Sequence, residues 1–266
     1  MFKEERQRQI RELLQREGRV NVADLATRYN VSKMTIRRDL DELAEDLDIE
    51  RTYGGAIAPY QPQQFLEPPF PDRINVNYEE KRAIAREAKK LIRPGDHFYL
   101  SAGTTAYQLA RELTRSKDIT VVVNSVLIAN FFVPYENIEV LVLGGYLRHS
   151  ELSLHGYLVH EALRGLNVDK AFIGIRGIHP EYGFTNDTPR ELMTDRAVLG
   201  VSKKVIVLAD HTKFDHVATS VVAPVDAAQT IITSTLAPSK IVNTIREKGV
   251  EVIQVPFESA DAEQVV

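Results

Sequence analysis

The stretch NVSKMTIRRDLDEL, Asn30 to Leu43, is basic in its first half and acidic in its second. At about 100° per residue, Ile36, Leu40 and Leu43 fall on one side of a helix and form an apolar face. Ser32 is positioned to cap the N-terminus of that helix. The pattern therefore predicts a short amphipathic helix with an exposed, electropositive first turn and a half.

Two further helices are predicted before this stretch. Asn21 is placed to cap the second of them, and the tight connection YNVS leads into the third. Three short helices joined in this way are typical of a helix-turn-helix, whose last helix offers its N-terminal residues to the DNA major groove. The apolar faces of the first two helices are marked by Ile10, Leu13 and Leu14, and by Val22, Leu25 and Tyr29.

The charge distribution favours the same interpretation. Residues 1–38 hold ten Lys or Arg against five Asp or Glu, whereas residues 39–50 hold seven acidic residues and no basic one. We expect the basic half of the third helix to face phosphates and the acidic half to point away from the duplex. The alternative is that its two arginines only solvate a surface helix. The candidate DNA contacts on this helix are Ser32, Lys33, Met34, Thr35, Arg37 and Arg38.

A small β-hairpin is predicted next, in DIERTYGGAI, residues 48–57. Its Gly-Gly turn suits a wing, and Arg51 is placed to reach a phosphate. The motif VSKMTIRRDL, together with RTYGGAI after it, resembles the N-terminal winged helix-turn-helix of DeoR-type bacterial transcription regulators. The resemblance implies a sequence-specific regulator, a repressor of a carbohydrate-metabolism operon, whose partner is double-stranded operator DNA.

The length and composition place limits on the rest of the chain. Its 266 residues favour two domains, and a net charge of −4 gives no argument for nucleic-acid binding from bulk charge. The absence of cysteine excludes disulfides and thiolate metal sites. No apolar run is long enough for a signal peptide or a membrane span, so we expect a cytoplasmic protein without a membrane partner.

The larger domain is predicted to be an α/β domain. Residues 1–57 form the DNA-binding domain, and the proline-rich residues 58–77 form a semi-rigid linker, because residues 58–72 hold five of the 12 prolines. In residues 78–266, helical patterns alternate with short β-branched runs. This alternation predicts a doubly wound, mostly parallel sheet.

Polar loops follow four of the predicted strands, and such loops gather at one edge of a parallel sheet. Each loop alone also fits a turn or a helix cap, but together their hydroxyl and cationic groups favour a small anionic ligand. The loops are Gly103–Thr105, Asn124–Ser125, Gly144–Arg148 and Ala209–Phe214.

The motifs GTT, NS, LGGYLR, LSLHG, VDKAFIG and LADHTKF resemble the sensor domain of the same family, which is related in fold to ribose-5-phosphate isomerases. The resemblance implies a sugar-phosphate effector as the small-molecule partner, with no cofactor and no metal. The implied ligand contacts are Gly103, Thr104, Thr105, Asn124, Ser125, Gly145, Arg148 and Lys213.

Three departures from the family pattern fall at the predicted crevice. Ser101-Ala102 replaces Asp-Ser, Arg176 replaces an acid, and Asp195 replaces a lysine. Arg176 and Asp195 are therefore further candidate ligand contacts, and the exchange of charges gives the hypothesis that they form an ion pair. Independent change at a solvated surface is the alternative.

The predicted function is ligand-controlled DNA binding by a homo-oligomer, since helix-turn-helix operators tend to be palindromic. A sugar-phosphate isomerase with an appended DNA-binding domain is the main alternative. It is disfavoured because the residues at 176 and 195 remove candidates for the base and for its electrophilic partner. A constitutive DNA-binding protein whose second domain only oligomerises is the third hypothesis.

Overall fold

The computed structural model describes residues 3–17, 19–46, 50–52, 54–57, 68–189 and 191–258. The chain forms two compact units, Met1–Leu66 and Glu67–Val266. Among these described residues, the smaller unit has one hydrophobic core, and the larger unit has two cores that lie on opposite faces of a central sheet.

The smaller unit is a three-helix domain with a three-stranded antiparallel sheet in the order β1-β3-β2. This is the winged helix-turn-helix that the sequence predicts. Its elements are α1 (Lys3–Glu17), β1 (Arg19–Asn21), α2 (Val22–Tyr29), α3 (Lys33–Asp46), β2 (Glu50–Thr52) and β3 (Gly55–Ile57).

The apolar face predicted for α3 is confirmed, because Ile36 and Leu40 are fully buried and Leu43 is nearly so. Both predicted helix caps are also present. The side chain of Asn21 accepts a hydrogen bond from the Ala23 N–H at 2.7 Å, and Ser32 Oγ accepts one from the Thr35 N–H at 3.1 Å. These caps fix where α2 and α3 begin.

The wing depends on a close approach of two backbones at Gly55. A Cβ atom at this position would lie 1.8 Å from the carbonyl oxygen of Val20, which is closer than any side chain tolerates. Strand β3 can therefore pair with β1 only because residue 55 has no side chain.

The larger unit is built on a seven-stranded parallel sheet in the order β15-β14-β12-β9-β4-β5-β6. The strands of this sheet are β4 (His97–Leu100), β5 (Thr120–Val123), β6 (Glu139–Val142), β9 (Lys170–Ile173), β12 (Val205–Leu208), β14 (Thr230–Ser234) and β15 (Glu251–Val255).

Helices cover both faces of this sheet, so the predicted doubly wound architecture is confirmed. Along β9, Phe172 packs into one core while Ala171 and Ile173 pack into the other, as period-2 alternation requires. The helices are α4 (Phe70–Arg73), α5 (Tyr78–Lys89), α6 (Thr104–Glu112), α7 (Val126–Phe132), α8 (Tyr157–Arg164), α9 (Leu192–Val201) and α10 (Ser239–Glu247).

Two small antiparallel sheets complete the unit. One is the β7–β8 hairpin and the other has the order β10-β11-β13. Their strands are β7 (Tyr146–Arg148), β8 (Ser153–His155), β10 (Gly177–His179), β11 (Gly183–Asn186) and β13 (Ser220–Ala223).

The end of the predicted linker needs correction. Residues 70–77 belong to the larger unit, because Phe70 is 2% exposed, its N–H donates to the Ser150 carbonyl at 2.7 Å, and its ring packs edge-on against Tyr107. The segment was assigned to the linker because of its prolines. The burial of its one aromatic side chain is not visible in the composition. Residues 58–67 lie outside the described residues.

None of the helices in the described part of the chain combines the length and the apolar character that crossing a bilayer requires.

Candidate functional site

The N-terminal half of α3 presents a basic, exposed surface. Two of the candidate contacts belong to the N-terminal cap of the helix. The hydroxyls of Ser32 and Thr35 lie 2.8 Å apart and form a hydrogen bond with each other. Arg38 is widely exposed, with 83% of its side chain accessible to solvent, and its Nε lies 3.6 Å from Glu42 Oε1. The other exposed candidates are Ser32, Lys33, Met34 and Arg37.

One acidic residue of α3 is buried inside the domain. Asp39 is 2% exposed and lies against Arg6 of α1, with Oδ2 2.6 Å from Nε and Oδ1 3.1 Å from Nη2. The hydrogen bond to Asp39 raises the pKa of Arg6, against the opposing effect of burial. Both charges are therefore internal to the domain, and Arg6 does not add to the DNA-facing charge.

The wing residue predicted to touch phosphate lies in β2. Arg51 pairs with Ala56 of β3 in the antiparallel register. Its side chain lies outside the described residues, so its contact with DNA stays a prediction.

The larger unit has a small cavity, about 120 Å³, at the carboxyl ends of its parallel strands. Strand β4 has β5 on one side and β9 on the other, so the order of strands reverses between β4 and β9. Ligands of open α/β sheets bind at such a reversal. Eight predicted contacts line this cavity: Gly103, Thr104, Thr105, Asn124, Arg148, Arg176, Asp195 and Lys213.

The two remaining predicted contacts are not among the lining residues, and both have structural roles. Ser125 Oγ accepts a hydrogen bond from the Ile128 N–H at 3.2 Å and so caps α7. Gly145 has φ +150°, and a Cβ there would lie 2.6 Å from the carbonyl oxygen of His155. The glycine thus lets β7 approach β8.

Helix α6 begins at the cavity. Its N-cap is Gly103, which offers no side chain, and Thr104 and Thr105 occupy the first two helical positions. Both threonines are buried and line the cavity. The interpretation of these threonines as caps is therefore wrong, and the first N–H groups of the helix have no capping side chain.

The inner wall of the cavity is braced by hydrogen bonds. Tyr99 Oη donates to Asn124 Oδ1 at 2.8 Å, and Asn124 Nδ2 donates to the Leu154 carbonyl at 3.1 Å. Burial, with the negative charges of Asp195 and Glu191, raises the pKa of Tyr99 well above its usual value. Tyr99 therefore stays protonated and keeps Asn124 in one orientation.

Three arginines line the cavity, and each pairs with a carboxylate that also lines it. Arg73, Glu151 and Asp187 are not predicted from the sequence, because no motif marks them and Arg73 lies in the predicted linker. The pairs are Arg148 Nη1 with Glu191 Oε2 at 2.6 Å, Arg73 Nη2 with Glu151 Oε2 at 2.5 Å, and Arg176 Nε with Asp187 Oδ2 at 3.1 Å.

The hypothesis of an ion pair between Arg176 and Asp195 is therefore wrong, since Arg176 pairs with Asp187. Arg176 directly precedes β10 and Asp187 directly follows β11, so the antiparallel pairing of these strands brings the two side chains together. Asn186 lies between the two predicted partners. Its Oδ1 accepts the Arg176 N–H at 3.0 Å and its Nδ2 donates to Asp195 Oδ2 at 2.6 Å.

Asp195 is a cavity carboxylate whose pKa is strongly perturbed. Desolvation raises its pKa to about 7, the hydrogen bond from Asn186 opposes that change, the charge of Glu191 adds to it, and Arg148 lowers it. The carboxyl group is thus poised between its neutral and ionised forms near neutral pH.

A buried carboxylate positions the loop that carries Lys213. Glu80 Oε1 accepts hydrogen bonds from the His211 N–H at 2.7 Å and from Ser234 Oγ at 2.6 Å, and Oε2 lies 2.8 Å from His211 Nδ1. The group Glu80, Asp210 and His211 has metal-compatible spacing. The hydrogen bonds within this group support the 3₁₀ turn His211–Lys213. This structural role explains why the three side chains lie close together.

These features define the class of the protein: a winged helix-turn-helix regulator with an α/β domain that has a cavity at the carboxyl ends of its parallel strands. Comparison with protein families gives the same result. Residues 6–61 match the DeoR-like helix-turn-helix domain, and residues 76–235 match the DeoR C-terminal sensor domain. The chain belongs to the DeoR family of transcriptional regulators.

Similar proteins match almost end to end. The HTH-type transcriptional repressor GlcR of Bacillus subtilis is 35% identical, covering 95% of this chain and 96% of its own. The transcriptional repressor AccR of Agrobacterium fabrum is 33% identical, with coverages of 92% and 94%. The glycerol-3-phosphate regulon repressor of Escherichia coli is 28% identical, with coverages of 94% and 98%.

Among solved structures, ribose 5-phosphate isomerase A of Methanocaldococcus jannaschii is similar over 52% of this chain and 55% of its own. It shares 21% identity, with a TM-score of 0.39. The family assignment rests on the sequence matches alone.

Proposed function

We propose that this protein is a repressor whose affinity for operator DNA is controlled by a sugar phosphate or a related phosphorylated metabolite bound in the cavity of the larger unit. One observation carries the proposal: the uncapped start of α6 opens into a cavity that also contains Lys213 and three arginines. Similar proteins are named as repressors, one of them of a glycerol-3-phosphate regulon.

The phosphate-binding step follows from the chemistry of a helix start. The first N–H groups of a helix lack intrahelical partners and carry partial positive charge, so they bind anions. Thr104 and Thr105 add hydroxyl donors at the same end, and Lys213 adds a cation. The three arginines supply further donors, and each has a carboxylate beside it that balances its charge.

The DNA-binding step uses the exposed half of α3. We assign Arg38 and Arg37 to the major groove and Arg51 to a phosphate, with Lys33 and Met34 beside them. The cap residues Ser32 and Thr35 set the direction of the first turn.

A homo-oligomer and a cytoplasmic location are parts of the same proposal, because a helix-turn-helix dimer reads two half-sites. The outer strand β6 exposes Leu141 and Val142, and Tyr146 of β7 is 73% exposed, which suits an interface between copies. Light scattering of the full chain tests this part. A monomer at operator-saturating concentration would contradict it.

Communication between the two functions is proposed to pass through α4. Arg73 lines the cavity, pairs with Glu151, and donates from Nε to the Pro68 carbonyl at 2.5 Å. A ligand that competes for Arg73 therefore acts on the first described residues of the larger unit, directly after the segment that joins it to the DNA-binding unit. The change in operator affinity is limited by the difference in ligand-binding free energy between the arrangement in which Arg73 contacts Glu151 and Pro68 and the one in which it contacts the ligand.

The test starts with a thermal-shift screen of sugar phosphates against the full chain, because a ligand at 100 times its Kd stabilises a protein by about 2.7 kcal/mol. The best ligand is then titrated into an operator complex followed by fluorescence anisotropy. Thr105→Val keeps the shape but deletes the hydroxyl, so the response should shift to higher ligand concentration while operator affinity without ligand stays unchanged.

Thr244→Val is the matched control, since Thr244 lies on α10, is not among the residues that line the cavity, and donates its hydroxyl hydrogen bond to the Lys240 carbonyl of its own helix. An unaltered ligand response in Thr105→Val would remove the phosphate assignment. The proposal also treats the cavity as a binding site without catalysis, so turnover of ribose 5-phosphate by the purified protein would contradict it.

A further inference from the structure

Met34 is an apolar residue of the DNA-binding unit that lies outside its hydrophobic core. It is 69% exposed, and it is the only large apolar side chain that is exposed in the part of this unit whose side chains the structure describes. The other large apolar residues there are buried in the core or, like Val20, Tyr29 and Val31, partly buried against it. The core therefore does not require an apolar side chain at position 34.

The helix geometry directs Met34 away from the core. At about 100° per residue, Met34 lies about 160° and Arg38 about 200° from the buried Ile36, so both point to the opposite side of α3. Side chains on a helix lean toward its N-terminus, which is the end that a helix-turn-helix offers to the base edges of the major groove. Met34 and Arg38 thus form one exposed face, with Lys33 and Arg37 on its flank.

We infer that Met34 reads the 5-methyl group of a thymine in the major groove, close to the base that Arg38 reads. This inference rests on the proposed position of α3 in the groove and adds a base preference to it. Residues four apart on a helix are separated by about 6 Å along its axis, and successive base pairs by about 3.4 Å. The thymine should therefore lie about one or two base pairs from the base that Arg38 contacts.

The choice of thymine follows from the chemistry of the base edges. Thymine presents a methyl group in the major groove, whereas the other three bases present only hydrogen-bonding groups there. A thioether that covered one of those groups would remove it from water without replacing its hydrogen bond, which costs free energy. Against the methyl group, the same side chain buries apolar surface on both partners. Met34 therefore favours thymine over the other bases at its position.

The surroundings of Met34 fit DNA better than an apolar protein partner. The cationic side chains of Lys33, Arg37 and Arg38 are exposed beside it, and the exposed Asp41 lies about two turns further along α3. Phosphates on both sides of the groove complement these cations. An apolar partner that covered Met34 would also remove the cations from water without compensating their charge.

The experiment deletes the methyl group from the DNA. A duplex that the full chain binds is first selected from a random pool, and each thymine is then replaced in turn by deoxyuridine, which pairs in the same way but has no 5-methyl group. Fluorescence anisotropy gives the Kd of each duplex. We expect one substitution in each half-site to weaken wild-type binding about fourfold, which is the contribution of one buried methylene-sized group.

Three variants assign the effect of deoxyuridine to Met34. Met34→Ala should weaken binding to the thymine duplex and reduce the effect of deoxyuridine to less than about 1.5-fold, because the partner of the methyl group is gone. Met34→Leu keeps an apolar side chain and should keep most of the effect. Met193→Ala is the matched control, since Met193 of α9 is 61% exposed and lies in the larger unit. It should retain the full effect.

The outcomes separate this inference from the proposed function. If deoxyuridine has no effect at any thymine, or if its effect persists in Met34→Ala, the inference fails and the regulator function stands. If the selection enriches no DNA sequence, specific DNA binding fails and the inference fails with it. The arms with deoxyuridine and with the random pool use the wild-type protein, so they do not depend on the folding of a variant.

Discussion

Replacing Arg6 by methionine should unfold the DNA-binding unit without touching any residue that faces DNA. Methionine roughly matches the apolar length of arginine but leaves the Asp39 carboxylate buried without a cation. The paired side chains are only 8% and 3% exposed, and two hydrogen bonds join them at 2.6 and 3.1 Å. Stranding one charge of such a pair costs about 3–5 kcal/mol.

That cost is comparable with the whole stability of the unit. At about 0.05–0.15 kcal/mol per residue, a unit of this length is stable by roughly 3–10 kcal/mol. The surface pair Lys3–Glu42 provides the control, because its side chains are 48% and 34% exposed. Lys3→Ala should therefore have only a small effect on the stability of the unit.

The assay is amide hydrogen exchange of the full chain, read in peptides of α3 and of the parallel sheet, together with operator affinity. Arg6→Met should lose protection in α3 and lose operator binding, while the sheet keeps its protection. The double variant Arg6→Met/Asp39→Leu replaces the pair by apolar side chains and should recover most of both. Equal exchange in Arg6→Met and Lys3→Ala would refute the reasoning.

Further expected outcomes concern both units. Asp195 has a reference pKa of 3.8 and a pKa of about 7 when folded. At pH values between these two, its carboxyl group is protonated in the folded chain and ionised in the unfolded chain. The free energy of unfolding should therefore fall as pH rises from about 4 to about 7, by at most roughly 4 kcal/mol, and Asp195→Asn should remove this fall in urea titrations. Gly55→Ala should disrupt the wing and weaken binding to all DNA sequences, as measured by anisotropy, because its Cβ meets the Val20 carbonyl; wild-type affinity would contradict this. Arg38→Ala should relax specificity by about 1–3 kcal/mol at one base pair per half-site, whereas Arg51→Ala should weaken all sequences alike and reduce the salt dependence; unchanged footprints for both would remove the assignment of α3.

Local sequence patterns predicted the DNA-binding unit well, because its signals are short in range. The cap at Ser32 and the burial of Ile36 and Leu40 depend on spacing within one helix. The pair between Arg6 and Asp39 was missed for the opposite reason. Its partners are 33 residues apart, and neither residue differs by type from the surface charges around it.

The same distinction applies to the cavity. Strand-end loops such as Gly103–Thr105 were predicted because parallel strands bring their carboxyl ends to one edge. The partner of Arg176 was not, since Asp187 meets it only through the register of the β10–β11 hairpin. Arg73 was missed because a single buried ring, that of Phe70, decides that its segment belongs to the larger unit.

The position of the cavity in the chain sets an order of events during synthesis. The DNA-binding unit ends at Leu66, whereas the last residue lining the cavity is Lys213, which is 147 residues further on. At about 5–20 residues per second, the ribosome needs roughly 7–30 s to cover that interval. Throughout it the growing chain contains a complete helix-turn-helix and an unfinished sensor. The sequence of the helix-turn-helix is therefore complete on the ribosome before all the residues that line the cavity have been added.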